Sequence, residues 1–197
     1  MNNNSPCLRR GLLFVVSGPS GVGKTVLCSK MIERFHRQAV YSISATSRLP
    51  RGAEKEGQEY FFYSREQFEE AIKKEMFAEW AMVHGNYYGT PKAFLEKKLS
   101  GGKHVILNID VQGAMKIKRS YPNAIMIFIL PPSMEILEER LRKRNMDSED
   151  VLRHRMANAQ AEIEARNQYE HVLINDDLDE AVRNLENIFN QYITSDS

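Results

Sequence analysis

Five apolar residues, Leu12 to Val16, run through Ser17 into Gly18-Pro19-Ser20-Gly21-Val22-Gly23-Lys24-Thr25, and no other stretch restricts the fold so tightly. Gly18, Gly23, Lys24 and Thr25 stand in the register of Gly, four residues, Gly-Lys-Ser/Thr. Such a loop closes around an anion because backbone N–H groups turn inward where no side chain obstructs them. The lysine adds a point charge for the outer phosphates of a nucleotide, and the threonine hydroxyl is placed for Mg²⁺. The amphipathic continuation VLCSKMIERF supplies a helix whose positive end faces the same anion. Strand, loop and helix therefore occur in the order that binding the phosphates of a nucleotide requires. A Gly-rich turn with an exposed lysine is the plainer alternative, and it leaves that order unexplained.

The remaining apolar runs extend the pattern. HVILNID, AIMIFIL and HVLIND read as strands buried on both faces. Helical periodicity follows over 24–35, 91–99, 112–120, 133–144, 149–167 and 178–193. The expected fold is α/β, a parallel sheet with helices on both faces, in one domain of 197 residues. Residues 45–90 interrupt the rhythm with aromatics and charges and read as an insertion of short strands around a helix. Residues 140–155 read as a charged flap or lid, and 1–10 as a flexible tip before the first strand.

Charge excludes some partners. Lys and Arg number 27 against 26 Asp and Glu, so no global field draws the chain to nucleic acid or an anionic membrane. No run approaches the roughly 20 apolar residues of a membrane span. The two cysteines, Cys7 and Cys28, make neither a disulfide framework nor a zinc cage, which suits the cytoplasm. Oligomeric state is not legible.

The phosphate acceptor is written in the insertion. In SATSRLPRGAEKEGQEYFF, Arg48 and Arg51 lie three apart around a stiffening Pro50, a spacing able to clamp one phosphate by bidentate hydrogen bonds. A solvated loop fits that segment equally well. EWAMVHGNYYGT then adds Glu79, Tyr88 and Thr90 from the same segment. With GPSGVGKT, ILNIDVQG, ILPPS, the arginine-rich flap and INDDLDEA in order, the chain resembles the guanylate kinase family along nearly its whole length.

That resemblance implies transfer of the γ-phosphate of ATP to GMP, and to dGMP, with Mg²⁺ as cofactor. It assigns the GMP phosphate to Ser44, Arg48, Arg51, Tyr60 and Tyr88, and the guanine edge to Glu79, Thr90 and Asp110. The chemistry of the base agrees. A carboxylate accepts both the N1–H and N2–H₂ protons of guanine, a hydroxyl can donate to O6, and the bare N1 of adenine would face the carboxylate without a proton. The resemblance sets Arg140, Arg144 and Arg155 over the transferring phosphate beside Lys24, with Arg48 on the acceptor side, and Asn175 near the adenine.

Three positions depart from the family. Asn108 stands where its Asp-x-Asp begins, at the place expected to hold the waters around Mg²⁺ beside Thr25. RGAE moves the glycine of Arg-x-Gly-Glu by one and leaves the turn at Glu54 open. Asn145 replaces a common glycine in the flap. A guanylate-kinase-like protein-binding module is the rival from another class, opposed by the intact Lys24, Thr25 and arginines; a kinase for another monophosphate is opposed by Glu79, Thr90 and Asp110.

Overall fold

In the computed structural model, residues 9–83, 85–144 and 148–193 are described. The elements run β1 (Leu13–Ser17), α1 (Lys24–Arg34), β2 (Ala39–Tyr41), β3 (Ser44–Thr46), β4 (Tyr60–Phe62), α2 (Arg65–Lys73), β5 (Phe77–Val83) and β6 (Asn86–Pro91). They continue with α3 (Lys92–Ser100), β7 (His104–Asn108), α4 (Val111–Ser120), β8 (Ile125–Leu130), α5 (Met134–Arg144), α6 (Glu149–Glu164), β9 (His171–Ile174) and α7 (Leu178–Ile193).

Strands β2, β7, β1, β8 and β9 pair in that order, all parallel. Their period of two explains the unbroken apolar runs. Phe14 and Val16 of β1, Ile106 of β7 and Ile127 and Ile129 of β8 face one core with Leu27 and Met31 of α1 and Leu185 and Phe189 of α7. Leu13, Val15, Val105, Leu107, Met126 and Phe128 face the other, with Leu95 and Leu99 of α3 and Ala114 and Ile117 of α4. The expected α/β sheet with helices on both faces is present. The shifts from the expected helices are small: the 149–167 helix ends at Glu164, and a tighter 3₁₀ turn covers Ala165–Gln168. Strand β2 was not foreseen, because Ala-Val-Tyr is too short to carry a pattern. No described helix is long and apolar enough to cross a membrane.

The connections leave β1 with β7 on one side and β8 on the other, so a crevice opens beyond its carboxyl end, where open α/β sheets bind ligands.

A second sheet, ordered β4-β3-β6-β5, lies within the segment read as an insertion. Its rear face carries Ala45, Phe61, Trp80 and Tyr87 against Phe68 and Ala71 of α2. Helix α2 starts where the sequence directs it: Ser64 accepts from the Gln67 N–H and the Gln67 side chain accepts from the Ser64 N–H, a reciprocal cap. By alternation the front face carries Ser44, Thr46, Tyr60, Tyr88, Thr90 and Glu79. Phe77 and Glu79 would share a face at strict period two. An irregularity in the β5–β6 register between them lets Phe77 join the rear core while Glu79 faces forward.

Candidate active site

The phosphate loop joins β1 to α1. Gly18 fits there for lack of a side chain: a Cβ would stand 2.3 Å from the Ile129 carbonyl oxygen of β8. Gly23, the residue before α1, is left-handed at φ 101°, and a Cβ on it would meet Asn175 Nδ2 at 2.4 Å. Lys24 Nζ donates to the carbonyls of Gly18 (2.5 Å) and Pro19 (3.0 Å), curled over the loop whose anion it would neutralise. Val22 is fully buried and anchors the loop in the core below.

Asn175, expected near adenine, is buried, and its Nδ2 donates to Val22 O at 2.7 Å. Arg140 donates to Asn175 O (2.9 Å) and Asp176 O (3.4 Å), which ties α5 to the loop after β9. Both residues thus brace the phosphate loop from behind. Arg155 reaches the crevice from α6, with Asn158 and Glu162 on the same helical face. The Arg144 side chain and Asn145 lie outside the described residues, as do 146–147 of the expected lid and 1–8 of the expected tip.

A cleft of about 700 Å³ runs from the loop to the second sheet, lined by Gly18, Ser20, Lys24, Asn108, Asp110 and Arg155 among others. It reaches the second sheet at Ala81, Met82 and Val83 of β5, and the front face of that sheet carries the residues expected to hold the acceptor. Ser44 is in register with Tyr60, and Thr46 with Tyr88. The Tyr60 and Tyr88 rings meet edge to face at 6.0 Å, and the Arg48 guanidinium lies over Tyr60 at 5.3 Å. Arg48 is buried and forks onto Glu54, with both N···O distances 2.9 Å, and donates to Leu49 O at 2.7 Å. The turn left open at Glu54 is well formed. Gly52 takes the left-handed position at φ 56°, and Glu54 also accepts from the Arg51 N–H at 2.8 Å. Arg48 holds the Glu54 carboxyl below its usual range, and Glu54 in turn secures the arginine's charge. The Arg51 side chain is exposed.

Glu79 is 6% exposed, and Thr90, directly across the β5–β6 pair, donates to its Oε1 at 2.6 Å. The Thr90 hydroxyl expected for O6 therefore gives its proton to the carboxylate. Burial raises the Glu79 carboxyl to about 7, helped by Asp110 and opposed by the Thr90 bond and the Lys116 charge. Asp110 caps α4 by accepting from the Gly113 N–H at 2.7 Å. Asn108 Nδ2 donates to Thr25 Oγ1 at 3.1 Å, and the half-buried Tyr41 of β2 has its hydroxyl within reach of the same amide. The two residues expected near the metal are thus in contact. Among the described residues no cluster of three or more His, Cys, Asp or Glu could cage an ion. That donor set suits a hard cation carried mainly by nucleotide phosphates and water.

Several site residues lay outside the sequence reading. The sequence marks Glu54 only as part of a turn, although it stands six residues after the arginine it holds. Asn158 and Glu162 follow Arg155 at i+3 and i+7, a spacing that could have been read as one helical face. Tyr41 gave no signal, since it sits on the unforeseen strand.

A sequence model described as guanylate kinase matches residues 10–192. The guanylate kinase of Caldanaerobacter subterraneus subsp. tengcongensis is 47% identical over 90% of this chain and 85% of its own length. That of Carboxydothermus hydrogenoformans is 48% identical over 91% and 87% respectively. The crystal structure of guanylate kinase from Anaplasma phagocytophilum superposes with a TM-score of 0.73 at 33% identity, covering 93% of this chain and 86% of that one.

Proposed function

The chain belongs to the guanylate kinase family and phosphorylates GMP to GDP at the expense of ATP, and we propose that it does so with the residues gathered along the cleft. The buried Glu79 beside capped Asp110 carries the reading of the base. A desolvated carboxylate accepts N1–H and N2–H₂ from guanine and leaves adenine's N1 unmatched. Thr90 orients that carboxylate, and its hydroxyl would change partner to donate to O6. Ser44, Arg48, Arg51, Tyr60 and Tyr88 hold the GMP phosphate, with Glu54 keeping the Arg48 fork in plane. dGMP, which keeps the same base edge and phosphate, is a second acceptor in this reading.

Lys24 and the N–H groups of 18–25 cradle the ATP phosphates, and Asn175 and Arg140 fix the loop that presents them. Arg155, with Arg144, neutralises charge on the transferring group. Little covalent chemistry is asked of the protein; alignment and charge neutralisation supply the rate. Thr25, and Asn108 through water, would hold Mg²⁺, which when bound with ATP offsets phosphate charge. The substrates are the partners, without nucleic acid or membrane, and the compartment is the cytoplasm, where the buried thiol of Cys28 stays reduced. ADP release measured with GMP, dGMP, AMP, UMP and CMP tests the reading. Turnover should be confined to the two guanine nucleotides, and AMP or UMP reacting as fast as GMP would overturn it.

A further inference from the structure

Gly113 is a glycine inside a helix with no left-handed backbone to require it. Alanine at such a position is ordinarily favoured over glycine, so something other than the backbone accounts for the missing methyl. A Cβ on Gly113 would stand 2.8 Å from Glu79 Oε2 and 3.3 Å from Glu79 Cδ. Restoring ordinary contact at 3.4 Å needs about 0.6 Å of movement, the difference between 3.4 and 2.8. The carboxylate has little freedom to give it, being buried and bonded to Thr90 through Oε1.

The same residue touches the second acceptor. The Gly113 N–H holds Asp110 Oδ1 at 2.7 Å, so one residue fixes Asp110 by a hydrogen bond and Glu79 by an absence. Lys116, one turn further along α4, donates to Trp80 O next to Glu79 and lies over the Trp80 ring at 5.0 Å. The first turns of α4 therefore form the wall against which the carboxylate of β5 is set.

We propose that Gly113 is a positioning residue for base specificity: its bare Cα sets the depth of the Glu79 carboxylate and so decides how both guanine protons are met. The inference rests on the guanine reading of the site. A displacement of this size at a bidentate acceptor costs far more than packing, because two hydrogen bonds lose alignment together.

The test compares GMP with IMP, which keeps N1–H and lacks the 2-amino group. In Gly113→Ala, kcat/KM for GMP should fall at least about tenfold and the GMP-to-IMP ratio should shrink, while ATP affinity stays within about twofold. In a Glu79→Gln background the same substitution should add less than about twofold. Equal losses for GMP and IMP, or fully additive losses in the double variant, would overturn the proposal. If Gly113→Ala does not fold, Gly113→Ala/Glu79→Asp decides: the shorter acid clears the methyl, so recovered folding supports the contact and continued failure refutes it. Glu79→Gln alone separates the two readings. No effect on GMP there removes the guanine assignment itself, whereas a loss there with none in Gly113→Ala removes only the role of Gly113.

Discussion

In the proposed recognition of guanine, Glu79 meets two opposed demands. Acceptance of two guanine protons needs the carboxylate charged, and the burial that makes it selective pushes its pKa to about 7. GMP affinity should therefore weaken about tenfold from pH 8 to pH 6 as the acceptor protonates, beyond the titration of the nucleotide's own phosphate. Calorimetric titrations of wild type and Glu79→Gln check this, because the variant should retain only the phosphate's dependence. Stability follows the same shift with its own sign. The folded protein binds this proton more tightly than the unfolded chain, so between pH 4.5 and about 7 the contribution of Glu79 to stability declines as pH rises. Asn108 makes a second case at this scale. Its amide reaches Thr25 Oγ1 but brings no negative charge, so a metal-bound water there would be held by a weaker bond than an aspartate would make. Asn108→Asp should lower the Mg²⁺ concentration for half-maximal rate and tighten Mg²⁺-dependent ATP binding in calorimetry. Coincident curves would mean that position 108 does not serve the metal.

Among the elements, the phosphate loop depends on a neighbour far away in sequence. Asn175 follows β9, yet its amide supports Val22 and occupies the space a side chain on Gly23 would need. Asn175→Ala removes one buried hydrogen bond, worth about 1 kcal/mol, and leaves the Val22 carbonyl unmatched. ATP affinity should fall about five- to tenfold with GMP affinity unchanged, as equilibrium titrations of each nucleotide would reveal. Contacts of this kind mark the limit of what the sequence discloses. β1, β7, β8 and β9 were readable because Phe14, Ile106, Ile127 and their neighbours are apolar on both strand faces, and β2 was not because three residues define no period. The front face of the second sheet was visible only as aromatics and charges. Its alternation is broken by the β5 irregularity at Phe77 and Glu79, and its members come from four strands and a turn. Glu54, Lys116 and Gly113 act through space on residues the sequence pointed to, and nothing in their local spacing discloses the partner.

For the molecule as a whole, the decisive feature of the proposed site is that donor and acceptor residues belong to different sheets. The phosphate loop sits at the end of the parallel sheet and the residues proposed for the acceptor on the front of the mixed one, and the cleft reaches from the loop to β5 of that second sheet. A phosphoryl group crossing that cleft would reach water unless positive charge and closure meet it midway. Arg155 is placed for this part. It extends from α6 and lines the same cleft as Lys24 and Asp110. Glu162, two turns on, has its carboxyl raised by burial and lies within reach of the Lys24 and Asp110 charges, so the α6 face shares the electrostatics of both sites. An arginine that stabilises charge on the moving group contributes most in the transition state and little to either bound substrate. Arg155→Ala should accordingly lower kcat by about 10²- to 10³-fold, with the dissociation constants of ATP and GMP each within about threefold of wild type. Single-turnover rates at saturating nucleotides, set beside equilibrium titrations, make the separation. A raised GMP dissociation constant with normal kcat would instead assign Arg155 to holding the acceptor and leave the transfer to the remaining cations of the cleft.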